Sequence, residues 1–248
     1  LSEVSNMKRS VVIVLALAGA CLLLAERPAG ISIYTWARED LFAGPMGNDL
    51  ERFNAGMQKV EEALQQNPKD PNALALKGFG TAYRAFRAID AGDRTAFDRQ
   101  YDEAVRLLDE AAAIDQNGIG VNAVYGATML YWYYKLPAER RAHAAARGRA
   151  SYMAMYKVQE QYADKMPVHI KGELLAGLAE AERRIGDMEK SKAYLQRIVD
   201  TMQGTPYARI AGQWLANPDR IPESSRVMCQ TCHDPGRLEN VLAAKKKQ

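Results

Sequence analysis

The stretch FNAGMQKVEEALQQNP, residues 53–68, sets the terms for the whole chain. Phe53, Gly56, Val60, Ala63 and Pro68 follow one another at spacings of 3, 4, 3 and 5. The first four lie on one face of a helix, and the proline ends it. Large side chains at Phe53 and Val60 fill a groove. Small ones at Gly56 and Ala63 let a second helix come close. The stretch YDEAVRLLDEAAAIDQ, residues 101–116, repeats the pattern through Tyr101, Ala104, Leu108, Ala111 and Gln116. Met188, Ser191, Leu195 and Ile198 carry it a third time. Self-similarity of this kind points to stacked helical units rather than one irregular bundle.

Between these copies lie the first helices of each pair. Leu74 with Gly78, Val121 to Gly126, and Leu174 to Gly177 each offer a small residue for a crossing. Breaks fall at Asn67–Pro71, Asp115–Gly118, Leu136-Pro137, Met166-Pro167, Gly186-Asp187 and Gly204–Pro206, the punctuation of short helix–helix connections. From Asn48 to Asn217 no stretch alternates with period two for long enough to predict a strand. The expected fold class is therefore all-α, built from helical hairpins.

The spacing resembles the tetratricopeptide repeat family, whose second helix reads aromatic, Ala, aromatic or aliphatic, Ala, Pro. The resemblance covers about two thirds of the chain. It implies an α-solenoid with a partner-binding face. The chain departs from the pattern in two places: the usual Trp near the start of the first helix is absent, and Arg84 to Asp98 reads as an insertion.

Two flanks surround residues 48–217. Lys8 and Arg9 precede an apolar run from Val11 to Ala25, ended by Glu26-Arg27-Pro28. Residues 1–27 read as a signal peptide or membrane anchor, with Met7 as the expected start. Ala18-Gly19-Ala20 offers a cleavage site, and Leu17 to Cys21 offers a lipobox one residue too long. An uncleaved anchor is the third fate. The positive flank would face the cytoplasm, leaving the rest on the periplasmic side of the inner membrane or exported. Residues 28–47 read as a linker, whose apolar patch from Ile31 to Trp36 would suit a membrane interface.

The other flank, residues 218–248, opens with Pro218 and Pro222, which forbid a continuous helix. It carries Cys229-Gln230-Thr231-Cys232-His233. Two thiols two residues apart reach the two vinyl groups of one haem, and the next imidazole lies under the iron. Together with the following Asp-Pro-Gly-Arg-Leu, these residues resemble the haem-attachment site of c-type cytochromes. The resemblance spans about ten residues. It implies one covalent haem c, held by Cys229 and Cys232, with His233 as the proximal iron ligand. A disulfide or redox pair, or a metal site, is the alternative use of the two thiols. A structural zinc needs four ligands and this segment offers three.

No Met or His follows His233. The distal ligand must come from upstream or from another chain. His143, His169 and Met202 are the candidates in this chain, though each reads more simply as an ordinary helix residue. No catalytic constellation or phosphate loop is legible, so an enzyme is not expected. A net charge of +3 excludes a nucleic-acid footprint. The expected function is a membrane-associated electron carrier that docks other redox proteins or a membrane complex through its repeats. An envelope scaffold whose Cys pair is a disulfide is the alternative.

Two further features invite a partner. Tyr131-Trp132-Tyr133-Tyr134 cannot all face one way on a helix, so some pack in the core and the rest face solvent or form a docking surface. Arg140, Arg141, Arg147, Arg149 and Lys157 form a basic stretch, read as a solvated helix face or as a contact for anionic lipid or an acidic partner.

Overall fold

The computed structural model describes Arg27, residues 29–228 and Ala243. Residues 32–248 make one compact unit and residues 1–31 another. Of residues 1–27, expected to be a signal peptide or membrane anchor, all but Arg27 lie outside the described residues. Among the described residues there is no strand, and no helix is long and apolar enough to cross a membrane.

Among the described residues nine α-helices follow in chain order: α1 Ile33–Gly47, α2 Leu50–Gln66, α3 Pro71–Asp90, α4 Arg94–Ile114, α5 Ile119–Tyr131, α6 Ala138–Gln159, α7 Val168–Ile185, α8 Met188–Thr201 and α9 Pro206–Ala216. Most of these starts have a chemical cause in a capping side chain. Asp49, Asp70, Asp93, Asp187 and Thr205 accept hydrogen bonds from the amides of the first turns that no intrahelical carbonyl can reach. Pro71 and Pro206 sit at first helical positions, where a missing N–H costs nothing. Gly186 closes α7 at φ 90°, a left-handed conformation that favours glycine.

Successive helices pack as pairs: α1 with α2, α3 with α4, α5 with α6 and α7 with α8, with α9 against α8. Phe53, Val60 and Ala63 of α2 are buried, as are Tyr101, Ala104, Leu108 and Ala111 of α4, and Ser191, Leu195 and Ile198 of α8. The small residues mark helix crossings. A Cβ on Gly56 would stand 2.8 Å from the Leu41 backbone nitrogen of α1. One on Gly78 would stand 2.7 Å from Leu108 Cγ and 3.1 Å from the Ala104 carbonyl oxygen of α4.

One expectation needs correction. Residues 33–47, expected within a linker, form α1, the first helix of the first pair. Ile33, Trp36, Ala37 and Leu41 recur at helical spacing and are all buried. Ile33 and Trp36 therefore belong to the core rather than to a membrane interface. Asp40 of α1 pairs with Arg52 at 2.9 Å and Lys59 at 2.6 Å on α2, and the Lys59 ammonium lies 4.1 Å over the Trp36 ring. The segment from Arg84 to Asp98 forms the end of α3, the turn after it and the start of α4, with Phe86 and Phe97 edge to face at 5.7 Å between centroids.

The basic stretch on α6 finds its counter-ions inside the chain. Arg140 bonds Asp98 at 2.9 Å and Asp102 at 2.5 Å, Arg147 pairs with Asp109 at 2.9 Å, and Arg149 with the buried Glu182 at 2.9 Å. Arg147 and Lys157 of the stretch remain exposed to solvent.

Candidate functional site

The chain beyond α9 returns to the helices. A short 3₁₀ turn at Pro218–Arg220 is followed by irregular backbone to Met228. Arg184 of α7 donates to the Glu223 carbonyl at 2.6 Å, and Arg141 of α6 reaches the Glu223 carboxylate at 3.4 Å. Arg226 donates to the Tyr131 carbonyl at 2.7 Å, with its guanidinium 3.7 Å over the Tyr131 ring. Val227 and Met228 are 0% exposed and join the core with Leu130, Leu174 and Leu178. The Tyr152 hydroxyl of α6 donates to the Met228 sulfur at 3.7 Å.

The aromatic run prepares this seat. Helix α5 ends at Tyr131 and Tyr133–Lys135 form a 3₁₀ turn, so the four side chains splay. Trp132 goes inward and stacks on Phe86 at 4.9 Å. Tyr131 lies under Arg226, and Tyr133 under Arg184 at 4.5 Å. The surface these rings offer is covered in part by the chain's own tail.

Beneath the seat, Glu180 is fully buried, 3.3 Å from Arg183 and 3.7 Å from Arg184. Desolvation holds its carboxyl above the usual carboxylate range, against the pull of Arg183, Arg184 and Arg226. Burial likewise lowers Arg184 from its ordinary value, against the opposing pull of Glu180.

Cys229, Cys232 and His233 lie outside the described residues, and the motif begins one residue after Met228. The three distal-ligand candidates have different settings. His143 is exposed on α6. Met202 is 4% exposed and fills the core beside Ile198 and Tyr207, which makes it a packing residue. His169, in the first turn of α7, lines a groove of about 240 Å³ between α1, α5, α6 and α7. The walls are mainly apolar, from Phe42, Ala127, Met155 and Leu174, with Arg38 of α1 among the polar groups. Tyr152, whose hydroxyl touches Met228, also lines this groove.

A chain of hydrogen bonds engages His169. The Tyr207 hydroxyl donates to Glu173 at 2.6 Å, and His169 Nδ1 lies 3.1 Å from the same hydroxyl oxygen. The three side chains thus form one hydrogen-bonded group between α7 and α9.

A second cleft, of about 490 Å³, lies beside the seat and is lined by Tyr83, Arg87, Asp90, Tyr134, Lys135 and Arg226. Lys135 pairs with Asp90 at 2.6 Å. Among the described residues no three His, Cys, Asp or Glu side chains cluster to hold a metal ion. No family model, curated protein or solved structure matches the chain.

Proposed function

We propose that this chain is an exported or membrane-associated electron-transfer subunit. Its hairpins act as tetratricopeptide-like solenoid repeats that dock a redox partner or a membrane complex. Its tail carries one haem c through Cys229 and Cys232, with His233 as iron ligand. The bound haem would supply single-electron transfer.

The observation that carries this reading is the burial of Met228, next to the first motif cysteine. Tethered at Met228, the motif stays within a few residues' reach of the helices. The chain's own residues then have defined tasks. Tyr152 and the apolar side chains around Met228 fix the point of attachment. Arg226 and Arg184 clamp the approach through Tyr131 and Glu223. The groove lined by Tyr152 and His169 offers apolar walls and a cation in Arg38 next to the residue that holds Met228.

The test is direct. The exported chain, denatured, should weigh one haem more than its sequence and give a pyridine haemochrome spectrum. A mass lower than the sequence by two hydrogens, with no haem spectrum, would overturn the reading. It would leave a scaffold with a Cys229–Cys232 disulfide.

A further inference from the structure

We propose that the cleft beside the tail's seat binds a small organic di- or tricarboxylate, and that its occupancy tightens the docking of the tail through Arg226.

The charges of the cleft are the first argument. Arg87 of α3, Lys135 of the 3₁₀ turn after α5 and Arg226 of the tail line one space of about 490 Å³, and Asp90 is the carboxylate among its lining residues. The volume falls in the range of small-molecule sites, roughly 300–1,000 Å³. Asp90 is taken up by Lys135, which donates to both of its oxygens, at 2.6 and 2.8 Å. Arg226 also answers the buried Glu180 from the other side. Arg87 is the cation the cleft leaves open. It is exposed and pairs with no carboxylate among the described residues. Its Nη1 lies 3.5 Å from the Tyr83 hydroxyl, a bond so long that it leaves the guanidinium fork to a ligand.

The helix ends are the second argument, and they choose the kind of anion. Asn48, Ala91 and Tyr131 line the cleft, so α1, α3 and α5 all bring their C-terminal ends to it. Among the lining residues there is no α-helix start, and so no row of free amides of the kind that suits a phosphate. Carbonyls that would repel an anion are engaged. The Asp49 amide donates to the Ala43 carbonyl and the Ala91 amide to that of Arg87, each at 3.1 Å, and Arg226 donates to that of Tyr131 at 2.7 Å. Recognition falls to side chains, and a planar carboxylate matches a guanidinium fork. The Tyr134 hydroxyl makes no hydrogen bond among the described residues and can donate to a second carboxylate.

The coupling follows from the place of Arg226, which lines the cleft and also holds the tail to Tyr131. A ligand that touches it binds the docked tail better than the released one, and so holds the tail down. The apolar groove is the poorer candidate for an acid, because its guanidinium, Arg38, is bonded to Glu39 at 2.7 Å.

The experiment is titration calorimetry of the full chain with citrate, succinate and inorganic phosphate at constant ionic strength. Citrate should bind at one site per chain and more tightly than phosphate, with succinate between them. Arg87→Gln, its helical circular dichroism unchanged, should weaken citrate about tenfold by loss of a charge-assisted hydrogen bond. Asp90→Asn should tighten citrate, because the carboxylate that competes for Lys135 is gone. Arg106→Gln, at an exposed arginine of α4 outside the cleft, should leave the affinity as it is. Citrate at about ten times its dissociation constant should slow hydrogen exchange at the Ser225 amide about tenfold. Absence of binding by citrate and succinate at millimolar concentration would overturn the site. So would phosphate binding more tightly than citrate, an unchanged affinity in Arg87→Gln, an equal loss in Arg106→Gln, or weaker binding in Asp90→Asn. Citrate binding with unchanged exchange at Ser225 would overturn the coupling to the tail.

Discussion

The Tyr152 hydroxyl lies 3.7 Å from the Met228 sulfur, across 76 positions of chain. The residue before Cys229 is thus held by the middle of α6. The contact itself is weak, because a thioether is a poor acceptor. What anchors the tail is the removal of the Met228 side chain from water. Met228→Ala should therefore lower stability by about 2–5 kcal/mol, whereas Tyr152→Phe should cost under about 1 kcal/mol. Urea unfolding would read both. Equal losses in the two variants would show that the hydroxyl, not burial, is the anchor.

Glycine at the crossings makes a contrast within one residue type. Gly78 faces the Ala104 carbonyl and Leu108, and backbone cannot yield as a flexible side chain can. Gly78→Ala should lose about 1–2 kcal/mol: overpacking outweighs the gain in helix propensity. Gly47, at the end of α1, has nothing within 4 Å of an added Cβ. Gly47→Ala should gain about 0.4–1 kcal/mol by restricting the unfolded chain. Melting temperatures should move in opposite directions, by a few degrees each for a chain of this size.

Much of this fold is written in the residues that start and stop helices. Asp70-Pro71, Asp115–Gly118, Gly186-Asp187 and Thr205-Pro206 are turn chemistry, and the chain turns at each of them. Helix α1 was harder to read. Gly44, Pro45 and Gly47 look like linker punctuation, yet they form its last turn. Gly44 is there for packing, since a Cβ would meet Tyr83 and Phe53. The groove was not legible at all. Its lining comes from four helices, and neither Met155 nor the bond between Tyr207 and Glu173 leaves a local pattern. The seat of Val227 and Met228 likewise appears only in three dimensions, because its side chains come from separate helices.

Glu180 should leave a mark on the pH dependence of stability. Its carboxyl is held above the ordinary value of 4.5, first by desolvation. Above about pH 4.5 the unfolded chain loses this proton while the folded chain keeps it. The contribution is therefore full below pH 4.5 and is lost as pH rises through the folded value. Asp98, bonded to Arg94 and Arg140, and Asp187, bonded to Lys190, are depressed below 3.8. Their contribution is present above that value and is lost as pH falls. Glu180→Gln should flatten the decline above pH 4.5 and leave the acid limb in place. Urea midpoints measured from pH 3 to 8 would decide, and parallel curves for the two proteins would rule Glu180 out.

The clamp at Arg226 depends on shape as well as charge. One planar guanidinium lies 3.7 Å over the Tyr131 ring while donating to the Tyr131 carbonyl at 2.7 Å. An ammonium cannot make both contacts from one position. Arg226→Lys should cost the docked segment about 1.4 kcal/mol, a tenfold gain in local opening. The loss should be confined to the tail, because the helices of the array pack on one another without it. The Ser225 amide, which donates to the Pro222 carbonyl at 3.0 Å, reports on this segment. Its hydrogen exchange should quicken about tenfold in Arg226→Lys while amides in the middle of α3 and α4 keep their rates. Faster exchange throughout would mean that Arg226 supports the whole array. No change at Ser225 would mean that burial of Val227 and Met228 alone holds the tail down.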